Sequence, residues 1–157
     1  LGFAARCEGR KNPHYLENLD CFIFTNSFEF NTFWKNAVGG NYDKAKIYHY
    51  YGNFKDKFYT MDWGISHSAF TSEPFGYGIF EAVDRGKLPI LHSTWCKDFE
   101  YPYRVSSKSE FIDIYNKVCN DTYETKNYWF NKIKNYMIHN YSDKQLWIDS
   151  LLNIYNI

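Results

Sequence analysis

Short apolar runs alternate with helix-spaced stretches along this chain. Leu1 to Ala5, Asp20 to Thr25, Ala45 to Tyr50, Trp63 to Phe70 and Leu88 to Leu91 are compact runs that predict five strands. Tyr101 to Val105 predicts a short sixth. Between the second and third, Ser27 to Val38 carries Phe30, Phe33, Trp34 and Val38 near helical spacing and stops at Gly39 and Gly40. Shorter helices are expected from Pro13 to Leu19 and from Asp56 to Asp62. From Ser107 onward the pattern is helical. Ser107 and Glu110 have capping-box spacing, and Phe111, Ile114, Tyr115 and Val118 form one apolar stripe. A second helix is predicted near Glu124 to His139. A third starts at Ser142, with Leu146, Ile148, Leu151, Leu152 and Ile154 as its apolar content.

Strands alternating with helices predict an α/β fold. The expected form is a Rossmann-like, doubly wound parallel sheet of five to six strands, with helices on both faces and further helices at the C-terminal end. In such sheets a ligand sits outside the carboxyl ends of the strands. Arg6, Gly52, Thr71 to Tyr77 and His92 to Thr94 all fall at predicted carboxyl ends. No Gly-x-Gly-x-x-Gly follows the first strand, which disfavours a dinucleotide dehydrogenase. His67, alone within the fourth strand, reads as a structural residue.

The stretch from Ser72 to Ala82 joins two of these strands. Pro74 suits the first turn of a helix, Ile79, Phe80 and Val83 give it an apolar face, and Gly86 is its expected stop. A helix start after a strand offers free N–H groups to a phosphate. Two acids frame it. Glu73 precedes the helix and Glu81 follows eight residues later, a height difference of about 12 Å at a rise of ~1.5 Å per residue. On these features alone, Glu73 reads as a capping acid and Glu81 as a surface acid. Arg6 and Lys11, taken alone, read as a solvated basic turn.

Composition narrows the field. The chain has 157 residues, with 18 Lys and Arg against 18 Asp and Glu, so the formal net charge is zero. That length suits a single domain spanning the whole chain, and no repeat or linker divides it. The charge balance argues against a basic nucleic-acid surface. Four cysteines, Cys7, Cys21, Cys96 and Cys119, form no Cys-x-x-Cys pair, and they read as reduced, mostly buried thiols. No apolar run is long enough for a transmembrane helix, so a cytoplasmic location is expected. The first residue is not Met, and the chain opens directly on a strand pattern, which reads as a fragment cut at a domain boundary.

The stretch from Glu73 through Pro74, Phe75 and Gly76 to Glu81 resembles the Glu-x7-Glu motif of retaining GT-B glycosyltransferases of the glycogen-synthase-like group. The continuation, Ala82, Gly86 and Pro89 before an apolar pair, resembles the same family. Arg6 and Lys11 match the family's Arg and Lys at the end of the first strand of its C-terminal domain. Tyr77 and Gly78 depart from the family's small or aliphatic residues, and Asp84 with Arg85 interrupts its usual small pair.

The resemblance implies the donor-binding C-terminal domain of a hexosyltransferase, probing a nucleoside diphosphate sugar and first of all a UDP-sugar. It implies that Arg6 and Lys11 neutralise the diphosphate as it leaves, and that Glu73 contacts the transferred sugar. Glu81 would hold the ribose. The backbone of Phe75, Gly76 and Tyr77 would hold phosphate or sugar oxygens, with Gly52, Asn53 and Thr71 also at the donor. No metal or cofactor is implied, because cationic side chains take the metal's place. The acceptor, whether glycan, lipid, protein or DNA, would meet an N-terminal domain of the same protein. Two alternatives stand beside this expectation. One is a non-catalytic nucleotide-sugar or phosphate-binding module of the same fold. The other is the donor half of a viral DNA-modifying glucosyltransferase.

Overall fold

The computed structural model describes residues 1–4, 13–25, 41–49, 65–67 and 77–141. Six strands are described among them: β1 Gly2–Ala4, β2 Phe22–Thr25, β3 Lys46–His49, β4 Ile65–His67, β5 Leu88–His92 and β6 Arg104–Val105. They form one sheet in the order β3-β2-β1-β4-β5-β6. Every neighbouring pair is parallel, with Gly2 opposite both Phe22 and Ser66, Ile65 opposite Leu88, and Leu91 opposite Arg104. The order runs outward from β1 to β3, then reverses, so that β4 returns to the other side of β1. Three helices are described: α1 Tyr77–Asp84, α2 Lys108–Asn120 and α3 Tyr123–Tyr141. The expected helices over 27–38, 56–62 and beyond Ser142 lie outside the described residues.

β5 shows why the sheet is covered. Leu88, Pro89, Ile90 and Leu91 are buried in succession, so both faces of the strand are dry there. Buried parallel strands read as continuous apolar runs for this reason. α1 and α3 both pack against β5, and they also contact each other. Ile79, Ala82 and Val83 of α1 and Ile133 and Met137 of α3 enter the same core as Phe3, Ile23, Ile90 and Leu91. Each such large apolar side chain contributes roughly 1.5–3 kcal/mol on burial. α2 packs instead on β6 and on the turn at Pro13–Leu16, through buried Phe111 beside Tyr15.

Pro89 sits inside a paired strand without cost. Leu91 and Ser93 donate their N–H groups to Tyr103 and Val105, so the odd-numbered residues of β5 face β6. Pro89 shares that side, but β6 begins only opposite Leu91. Its missing N–H therefore removes no ladder bond. Its carbonyl accepts instead from the Tyr101 hydroxyl at 2.6 Å. This also explains why the sixth strand, expected from Tyr101, pairs only at Arg104–Val105.

The helix ends follow local chemistry. Gly86 has φ +80 and closes α1 in a Schellman motif, with Lys87 N–H donating to Ala82 and Gly86 N–H to Val83. Ser107 caps α2 by accepting from Glu110 N–H at 3.2 Å, while the Glu110 carboxylate accepts from Ser106 N–H at 2.6 Å. One expected helix is corrected. Pro13 to Leu19 is a four-residue 3-10 turn, Pro13–Leu16. Asn18 takes φ 62 and ends it, and Glu17 is drawn away to Asn41 N–H at 3.2 Å and Lys108 Nζ at 2.6 Å. Those tertiary bonds replace the bonds a longer helix would have made.

Candidate functional site

The reversal of strand order lies between β1 and β4. Crevices at such a point, outside the strand carboxyl ends, are the ligand sites of open α/β sheets. The carboxyl ends here are Ala4, Thr25, His49, His67, His92 and Val105. Most of the predicted site residues follow these ends closely in sequence but lie outside the described residues. They are Arg6, Lys11, Gly52, Asn53, Thr71, Glu73, Phe75 and Gly76. Tyr77 and Glu81 are placed by backbone, as the first and fifth residues of α1.

The turn from His92 to Trp95 builds the described rim of this edge. It leaves β5 beside β4 and closes with Trp95 N–H donating to the His92 carbonyl at 2.9 Å. The His92 ring is fixed within it. Thr94 N–H donates to Nδ1 at 3.3 Å, and the Thr94 hydroxyl lies 2.7 Å from the same nitrogen. An amide N–H can only donate, so Nδ1 is the unprotonated nitrogen and the neutral ring carries its proton on Nε2. Burial lowers the His92 pKa from its ordinary value, which favours that neutral ring.

Trp95 ties the turn to the motif helix. Its ring packs on Phe80, the fourth residue of α1, with centroids 6.5 Å apart. Its Nε1 is buried with no hydrogen-bond partner. The β5–β6 connection is held from below by Arg104, whose Nη2 donates to the carbonyls of Cys96 and Phe99. Cys96 takes φ 48, a left-handed conformation that these bonds help to hold. Reading the sequence identified His92, Ser93 and Thr94 as a rim but missed Arg104. Its partners are main-chain carbonyls several residues upstream, and no side-chain pattern signals such a contact.

A cleft of about 540 Å³ opens at the other end of the strands. Leu1, Leu88, Cys119, Lys126 and Phe130 line it. Leu1 precedes β1 and Leu88 begins β5, so this cleft borders the amino ends and takes no part in the carboxyl-edge site. None of the three described cysteines is in a disulfide. Cys21 and Cys96 are buried and Cys119 is exposed in the last turn of α2. Burial pushes the Cys21 thiol up to about 12. Among the described residues no helix is long and apolar enough to cross a membrane. No family model, curated protein or solved structure matches this chain.

Proposed function

We propose that this chain is the donor-binding domain of a retaining GT-B glycosyltransferase, with a Rossmann-like, doubly wound sheet that takes a UDP-sugar at its carboxyl edge. The observation that carries the reading is the position of α1. It follows β4, the strand at which the order reverses, and it holds Glu81 one turn in before stopping at Gly86 and leading into Pro89 of β5. A helix start at a switch point is where the diphosphate of a nucleotide finds N–H donors and a favourable dipole.

In this reading the leaving diphosphate is neutralised by Arg6 and Lys11, because negative charge develops there as the glycosidic bond breaks. The N–H groups of Phe75, Gly76 and Tyr77 hold phosphate or sugar oxygens. Glu73 accepts from hydroxyls of the transferred sugar and Glu81 from those of the ribose. Gly52, Asn53 and Thr71 complete the donor contacts. The acceptor and the remaining catalytic groups belong to a second, N-terminal domain in the cytoplasm, so this domain binds donor and turns it over poorly by itself.

Titration calorimetry with UDP, GDP, ADP and inorganic phosphate tests the reading. Saturable binding of UDP or GDP is expected, weakening as salt rises. Arg6→Ala and Lys11→Ala should each weaken it roughly tenfold, the size of one charge-assisted hydrogen bond, with the fold intact. Absence of heat with every nucleotide at millimolar concentration overturns the reading.

A further inference from the structure

We propose that the cleft at the amino ends of the strands binds a small amphipathic carboxylate, with its apolar body against Leu88 and Phe130 and its anionic head on Lys126. The site lies at the opposite edge of the sheet from the donor site proposed above and does not depend on it. Three observations carry the inference. The first is shape. The cleft holds about 540 Å³, a volume in the range of small-molecule pockets, and it is lined from the start of β5, the end of α2 and the first two turns of α3. Gly86, favoured as glycine by its φ of +80, adds no side chain to that lining.

The second observation is the pattern of the lining. Tyr123, Lys126, Asn127 and Phe130 stand at i, i+3, i+4 and i+7 and share one face of α3. Leu88 is buried and Phe130 packs on the core, so they supply apolar walls. Tyr123 and Asn127 are exposed and supply hydrogen-bond donors. The third observation is charge. Among the described lining residues Lys126 is the one charged side chain, and it is half-buried. It stands in the first turn of α3, where a cation adds to the positive end of the dipole instead of offsetting it. The acids nearest in sequence are engaged elsewhere. Asp121 accepts from Lys117 and Tyr103, and Glu124 is held by Thr122 and its own N–H. Among the described residues Lys126 forms no ion pair. An ammonium partly removed from water beside apolar walls is complemented by a single anionic group that carries hydrocarbon.

The test uses the whole chain with two probes of equal length, decanoate and decanol, below their aggregation limits. Calorimetry reads the affinity. Alkylation of Cys119 by iodoacetamide, followed by the mass of its peptide, reads the place, because this exposed thiol lines the cleft. Decanoate should bind at one site and slow the alkylation, and decanol should bind roughly tenfold more weakly for want of the charge-assisted bond. Lys126→Met should weaken decanoate roughly tenfold and leave decanol unchanged. Asn127→Trp, a substitution at an exposed helical position that fills the cleft, should abolish both. Thermal unfolding confirms that each variant keeps its fold, and UDP should neither displace decanoate nor be displaced by it. Four results overturn the inference: no binding of decanoate, equal affinity for the two probes, binding that survives Asn127→Trp, or binding that leaves Cys119 unprotected. None of them bears on the donor site, which the nucleotide titrations test separately.

Discussion

The hydroxyl of Tyr103 donates to Oδ2 of Asp121 at 2.8 Å, joining the residue before β6 to the C-cap of α2. The same oxygen accepts from Lys117 Nζ at 2.7 Å. A carboxylate at a helix C-terminus meets the negative end of the dipole, so the two donors offset an otherwise unfavourable position. The Tyr103 ring is fully buried. Tyr103→Phe should therefore cost about 1.5–3 kcal/mol, the range for hydrogen bonds to charged groups. At about 2–4 °C per kcal/mol for a chain of this size, the unfolding midpoint should drop by several degrees. A shift under one degree would show that the bond contributes nothing net.

The same pair sets a pH window. The hydrogen bond from Lys117, then the one from Tyr103, holds the Asp121 carboxyl below its usual range. A depressed folded pKa gives stability that is present above the ordinary carboxylate range and lost as pH falls through the folded value. Burial first, then the bond to Asp121, raises the Tyr103 phenol well above its ordinary value. A raised folded pKa gives stability that is present below the ordinary phenol range and lost as pH rises through the folded value. Stability from this pair should thus be full between the two ranges and fall on both sides. Thermal unfolding across pH reads it, and Asp121→Asn should flatten the acid side relative to wild type.

Gly86 offers a backbone test with no steric component. A Cβ built there meets nothing within 4 Å, yet φ is +80. Gly86→Ala should cost about 1 kcal/mol through conformation alone. Gly86→Asn should cost less, because asparagine tolerates the left-handed region. Urea unfolding should show a lower midpoint at unchanged slope for both variants. Equal losses in Ala and Asn would place the penalty elsewhere.

Arg104 anchors the connection that carries the His92 turn. Arg104→Met removes the side-chain donor from the Phe99 and Cys96 carbonyls, the latter keeping the Phe99 N–H at 3.0 Å, and should destabilise by roughly 1–3 kcal/mol. Arg104→Lys keeps a cationic donor but loses the planar guanidinium geometry, and should fall between. Calorimetric midpoints order the three proteins. If Met and Lys behave alike, the guanidinium's two-carbonyl contact does not hold the loop.

The two motif acids should separate by ligand. Glu81→Gln should weaken UDP and UDP-sugar equally, because both carry the ribose. Glu73→Gln should weaken the UDP-sugar far more than UDP. Each effect should be ~1 kcal/mol or more, since a carboxylate accepts a hydroxyl hydrogen bond more strongly than an amide does. Paired binding curves for each variant decide it. Equal losses of both ligands in both variants would refute the division of labour.

Much of this fold is written in local signals. The centres of the first five strands, the stop at Gly86, the cap at Ser107 and the body of α3 each depend on a few adjacent residues, and all are legible in the chain. A turn that needs φ > 0 or a cap that needs a hydroxyl has a short list of solutions, so sequence determines it. What tertiary structure decided is long-range. The pairing of Gly2 with Ser66, the truncation of the expected Pro13 helix by Asn41 and Lys108, and the burial of Pro89 under Tyr101 all join distant residues. So does the ring contact of Phe80 with Trp95 that sets the His92 turn against α1. Such contacts win by the sum of many weak interactions over alternatives of similar composition, and no single stretch of sequence carries that sum.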